Sequence, residues 1–182
     1  METTIPYVSE ISLRTYLTRK TIDLGLIPYS VRWRKSVSGV GRMYANIMAM
    51  MDENYGIEGV RRLSKVMYNI GLNQADEIRK MLGLERNLES CAYVLLAMHR
   101  IFGVKSKIVQ KDKDRIVIHA TDCQWGKRKK GWTPKTCASI QQYETGLVKG
   151  ILPSATHFYT KRRSLDDEVC ELVIAERQSQ TK

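Results

Sequence analysis

The apolar residues of this chain change their period once, near Gly103: three-and-four spacing before it, alternation after it. Side chains three and four apart share one face of a helix, and side chains two apart share one face of a strand. One switch of this kind predicts an α+β chain, with N-terminal helices packed on a C-terminal sheet.

Before the switch, residues 8–24 form a helix or helix pair that ends near Gly25, with Pro28 in the following loop. Val40, Met43, Tyr44, Ile47, Met50 and Met51 form the next apolar stripe, which Gly56 closes. A further helix carries Val60, Leu63, Met67, Ile70, Ile78 and Met81 and stops before Gly83. Another runs from Leu88 to Phe102 with Cys91, Val94, Leu95 and Met98 on its buried face, and Gly103 ends it. His99 lies at the edge of that helix and reads as a surface or packing residue rather than a ligand.

After the switch, residues 104–110 and 115–122 alternate as two strands around the polar turn Lys111-Asp112-Lys113-Asp114. Pro134 opens an amphipathic helix that runs to about Gly150. Residues 156–163 and 168–176 make a last hairpin around Ser164-Leu165-Asp166-Asp167. The expected fold is therefore N-terminal helices on an antiparallel ββαββ unit. We expect one domain over residues 1–182, with helices in 1–103, the ββαββ unit in 104–176 and a polar tail at 177–182.

No apolar run approaches the roughly 18 residues that cross a bilayer, so no membrane partner is expected. The first residues, Met1 to Pro6, lack the basic-then-apolar pattern of a signal peptide, and a cytoplasmic location is expected. There, four cysteines serve as thiols or metal ligands rather than disulfides. The net charge of +11 has contributions from Lys127-Arg128-Lys129-Lys130 and Lys161-Arg162-Arg163. Trp125 and Trp132 flank the first cluster, an arrangement able to stack bases and contact phosphates. One such loop, with no zinc finger or aromatic RNP strand elsewhere, weighs against nucleic acid as the partner. Glycines flank the 126–131 loop, which is expected to be exposed.

Three cysteines stand at element ends: Cys123 just past the second strand, Cys137 in the first turn of the following helix, Cys170 opening the last strand. In one antiparallel sheet these converge, and they form the candidate metal site, Cys123, Cys137 and Cys170. A helix N-terminus also favours the thiolate at Cys137, which suits a nucleophile as well as a ligand. By alternation His119 and Thr121 share a strand face that Cys123 continues. Asp122, His157 and Asp167 lie within reach of this region. Cys91 follows the helical stripe and is core.

Thr121-Asp122-Cys123, Pro134-Lys135-Thr136-Cys137 and Asp167-Glu168-Val169-Cys170 occur in a characteristic order. Across residues 100–176 that order resembles the L-2-amino-thiazoline-4-carboxylic acid hydrolase-like family. It is also similar to the broader vinyl-4-reductase-type domains, related in fold to TRAPP vesicle-tethering subunits. In the family's pattern a proline follows the first cysteine and a glycine begins the turn before the last; here these are Gln124 and Asp166. The resemblance implies a small-molecule domain: a hydrolase opening a cyclic amidine ring, or a sensor of small aromatic molecules, some with a cysteine-held metal such as zinc or iron.

Three functional readings follow, the last in order being nucleic-acid binding through the basic loop 126–131. As an enzyme acting on a carbon–nitrogen bond, the chain uses Cys123 or Cys137 as nucleophile, with His119 as general acid/base oriented by Asp122, or a metal-activated water. As a binding module, it holds an apolar ligand between helices and sheet, with Trp125, Trp132, Tyr143, His157, Phe158 and Tyr159 as candidate contacts. A homodimer is also expected, because the outer sheet face with Val117, His119 and Val173 needs a cover.

Overall fold

In the computed structural model, residues 12–123, 125 and 132–176 are described. The basic loop 126–131, Gln124 and the polar tail lie outside them. The chain divides into two compact units, with the boundary between Ser36 and Val37.

In the first unit, α1 (Leu13–Asp23) begins at Ser12, whose Oγ accepts the Thr15 N–H at 3.2 Å. Gly25, with φ of 66°, terminates it as the sequence leads one to expect. The unit boundary falls inside α2 (Tyr29–Met81), which starts directly after Pro28, well before the apolar stripe at Val40.

The second unit contains the functional architecture. α2 breaks at Gly56 (φ 56°, ψ −145°), a left-handed backbone that glycine adopts without a Cβ penalty. Helix resumes at once, so the two separate helices read from the sequence are one interrupted element. α3 (Leu88–Ile101) is capped by Asn87, whose side chain accepts the Ser90 N–H at 2.8 Å, and Gly103 with φ of 71° follows its end.

Then come β1 (Lys105–Lys111), β2 (Arg115–Asp122), α4 (Pro134–Ile151), β3 (Ala155–Lys161) and β4 (Cys170–Glu176). The four strands form one antiparallel sheet in the order β1-β2-β4-β3. The expected ββαββ unit is present, with boundaries shifted by a few residues. Thr133 caps α4 by accepting the Thr136 N–H, and Pro134 stands in its first turn.

One sheet face packs on the helices. Ile116, Ile118 and Ala120 of β2 and Leu172 and Ile174 of β4 join Cys91, Val94 and Leu95 of α3 and Leu147, Val148 and Ile151 of α4 in a continuous core. On the outer face, Val117 and Val173 pair across β2 and β4, and the single chain already buries both. No described helix is long and apolar enough to cross a membrane.

The turn expected around Ser164 and Leu165 contains a short 3₁₀ segment, Arg163–Leu165, that takes Arg163 out of the expected strand. Asp166 follows in the left-handed region, with φ of 74°. Aspartate is among the few non-glycine residues that tolerate this conformation. Asp167 closes the turn by accepting the Arg162 N–H at 2.6 Å.

Candidate ligand cavity

Where α2, α3 and α4 meet the inner face of the sheet, they leave a cavity of about 400 Å³. Val40, Met43, Ile47, Met67 and Ile70 of α2 supply one wall, and Met98 and Phe102 of α3 another. Trp125 and Trp132, on either side of the basic loop, close a third. Their rings stack with centroids 5.7 Å apart; Phe102 lies 5.0 Å from Trp125 and Tyr44 lies 6.3 Å from Trp132. The Trp125 indole is fixed by donating to the Val37 carbonyl at 2.9 Å. That indole needs Gly41 beneath it, because a β-carbon there would fall 2.4 Å from Trp125 Cδ1. The Trp132 indole N–H is buried and finds no hydrogen-bond partner among the described residues.

All three element-end cysteines line this cavity, and Cys91 does not. Cys91 is fully buried in the core with its thiol 3.8 Å from the Val148 carbonyl. Cys123 Sγ accepts the Trp125 N–H and Cys170 Sγ accepts the Arg163 N–H, each at 3.4 Å. Burial pushes the Cys123 thiol up to about 12, against the Trp125 hydrogen bond, and also raises Cys170. Cys123 and Cys170 are therefore thiols at neutral pH, the weakly nucleophilic form. Among the described residues no group of three His, Cys, Asp or Glu side chains is placed to hold a metal ion. The structure thus brings Cys123, Cys137 and Cys170 to one cavity.

The proposed catalytic partners stand elsewhere. His119 has Ile118 and Ala120 on either side in β2, both in the helix-facing core, so alternation turns His119 outward. There it meets Glu171 Oε2 at 2.7 Å. Cys123 does not continue the His119 face, because the chain leaves the strand after Asp122 and Cys123 enters the cavity. Asp122 is largely exposed, 3.8 Å from Lys105, and does not orient His119. The alternation argument fails here because strand periodicity stops with the strand.

Of the expected ligand contacts, Trp125, Tyr143 and Tyr159 line the cavity. Phe158 is exposed. His157 is buried behind the lining: Thr145 Oγ1 meets its Nδ1 at 3.0 Å, and its ring stands edge-on to Tyr159.

A group missed in the sequence completes the site. Glu144 projects from α4 into the cavity wall, where its Oε1 meets His99 Nε2 at 3.1 Å and its Oε2 accepts the Tyr159 hydroxyl at 2.5 Å. His157 Nε2 lies 3.5 Å from Oε2. The other His99 nitrogen, Nδ1, meets Ser106 Oγ at 2.9 Å. Burial alone would raise the Glu144 carboxyl, but the His99 hydrogen bond and the charges of His99 and His157 outweigh it, so Glu144 lies below the usual carboxylate range. Burial depresses His157 against the pull of Glu144, and burial lifts Tyr159 well above a normal phenol. His99 is therefore neither a surface residue nor simple packing: it is a buried cavity residue held from both ring nitrogens.

No family model matches the sequence, and no curated protein matches it. Among solved structures, this chain is similar to a trafficking protein particle complex subunit 3 from Naegleria fowleri covalently bound to palmitic acid: 17% identity, TM-score 0.61, covering 79% of this chain and 96% of that one. It is also similar to the phenol-responsive sensory domain of the transcription activator PoxR, with phenol: 11% identity, TM-score 0.54, covering 77% of this chain and 74% of that one. At these identities the likeness shows a shared α+β fold.

Proposed function

We propose that the chain is a small-molecule-binding domain whose ligand occupies the cavity between α2, α3, α4 and the sheet. The observation that carries this reading is the cavity itself: about 400 Å³, walled by methionine, isoleucine and a run of packed aromatic rings, with Glu144, His99 and Tyr159 joined by hydrogen bonds among its polar groups. A mostly apolar, preformed pocket with a few convergent polar groups is the usual form of a ligand site. The two structural neighbours carry a palmitoyl group and phenol respectively. The aromatic wall and the Trp132 N–H, unpartnered among the described residues, suit a compact aromatic ligand with one acceptor better than a plain alkyl chain.

Binding is favoured over the hydrolytic activity that the aminothiazoline-hydrolase-like resemblance implies. Thiolate attack needs a base beside the thiol or a lowered pKa, whereas Cys123 is raised and His119 faces the other side of the sheet.

The reading is tested by calorimetric titration of the full chain with phenol, repeated on Ile140→Trp, since Ile140 lines the cavity and a tryptophan there fills it. Saturable binding that the substitution abolishes is expected. Absence of saturable binding by phenol and other small aromatics, or binding indifferent to Ile140→Trp, would overturn it.

A further inference from the structure

Glu144 is a carboxylate buried in an apolar cavity. Two of its neighbours, His99 and Tyr159, occupy one lone-pair direction on each oxygen. His157 Nε2 lies 3.5 Å from Oε2, but a carboxylate has about four such sites, so Glu144 retains acceptor capacity while lining the cavity. Among the described lining residues it is the sole carboxylate, and none is lysine or arginine. Its ion-pair partners among the described residues, His99 and His157, carry charge only when protonated, so an ammonium group at the open acceptor site would give the carboxylate a fully charged partner.

The rest of the wall independently points to the same ligand chemistry. Phe102 stands one turn beyond His99 on α3 and begins the series Phe102, Trp125, Trp132, Tyr44 of neighbouring rings. Aromatic faces attract cations through their quadrupole, and cages of tryptophan and tyrosine are how proteins recognise ammonium groups. The thiols of Cys123 and Cys170 add no charge, because burial keeps them protonated.

We propose that the cavity selects an amine: a ligand whose protonated nitrogen binds Glu144 while its apolar body lies against the tryptophan wall. This rests on the cavity being a ligand site, and it names the ligand class. The selection runs against the protein's overall electrostatics, since a net charge of +11 attracts anions and repels ammonium groups. A preference for an amine therefore comes from the cavity and not from the general field.

Three probes of one size separate the possibilities: benzylamine, its neutral isostere benzyl alcohol, and the anion benzoate, each titrated calorimetrically into the full chain. Benzylamine is expected to bind at least tenfold tighter than benzyl alcohol, with benzoate weakest. Glu144→Gln should erase the amine's advantage, and Ile140→Trp should abolish binding of all three. Because Glu144 is buried among partners, its substitution can disturb folding; the ranking on the unmodified protein decides without it. Benzyl alcohol or benzoate binding as well as benzylamine overturns the amine assignment and leaves the cavity as a ligand site. An amine preference that survives a folded Glu144→Gln overturns the assignment in the same way, whereas one that survives Ile140→Trp places the binding outside the cavity and overturns both proposals. If none of the three binds, both proposals fall together.

Discussion

A β-carbon on Gly146 of α4 would lie 2.1 Å from the carbonyl oxygen of Tyr68 on α2, so the two helix backbones touch at this point. The contact is reciprocal: a β-carbon on Gly71 would lie 2.1 Å from the Tyr143 carbonyl oxygen, and one on Gly150 would meet Ala75 at 2.4 Å. Small residues let helices approach this closely, and the approach sets Tyr143 and Glu144 at the cavity. Because the obstructing atoms are backbone, they cannot rotate away. Gly146→Ala is expected to destabilise the fold by about 1–3 kcal/mol through overpacking. Gly39→Ala, with nothing within 4 Å of the new carbon, should be neutral or stabilising through helix propensity. Denaturant midpoints of the two variants check this, and equal effects would show that the crossing is not tight in solution.

Much of this organisation was legible in the sequence because it rests on period. The change near Gly103 located the sheet, Pro134 located α4, and the element-end positions of Cys123, Cys137 and Cys170 brought them to one cavity. Glu144 was missed, although Ile140, Leu147, Val148 and Ile151 place it on the apolar stripe of α4, where a carboxylate requires a buried partner. His99 lies four residues beyond Leu95 on the same stripe of α3. What period could not give is which residues pair across elements. His99 meets Glu144 only because α3 and α4 pack together, and His119 meets Glu171 only through the β2–β4 register.

Cys91 tests the division of the cysteines into core and cavity. Its surroundings are Val94, Leu95 and the α4 stripe, and no part of its side chain reaches the cavity. Cys91→Ser places a hydroxyl there, with the Val148 carbonyl as its nearest acceptor. A cost of about 1–3 kcal/mol is expected, toward the lower end if that hydrogen bond forms. Ligand affinity should not change. Cys123→Ser and Cys170→Ser should show the reverse, with altered binding and smaller losses of stability, when the three are compared by thermal melting and calorimetry.

Acid should weaken the outer sheet face through Glu171. Hydrogen bonds from Thr160 and His119, with the charge of Lys161, hold its carboxyl down to about 2. A carboxyl depressed in the folded state stabilises at pH above its unfolded value, near 4.3, and that contribution disappears as pH falls toward 2. Glu171→Gln should therefore melt below the parent protein at pH 6. The gap should close progressively between about pH 4.5 and pH 2. A gap that stays constant through this range would mean that the carboxyl titrates alike in both states.

The cavity thiols decide between binding and nucleophilic chemistry. Burial holds Cys91 and Cys123 up to about 12, so at pH 8 the thiolate fraction of each is roughly 10³-fold below that of a free cysteine with pKa near 8.5. Native protein treated with iodoacetamide at pH 8 should leave both unmodified while an unstructured cysteine peptide reacts to completion. Unfolding in urea should make them react at the peptide's rate, which separates the effect of the fold from any prior oxidation. A bound soft metal would also shield thiolates, so metal content is measured on the same sample. Slow alkylation with stoichiometric zinc or iron would assign the protection to coordination rather than protonation. Rapid modification of Cys123 in the folded state would show an accessible thiolate in the cavity, and nucleophilic turnover would then displace simple binding as the reading of this site.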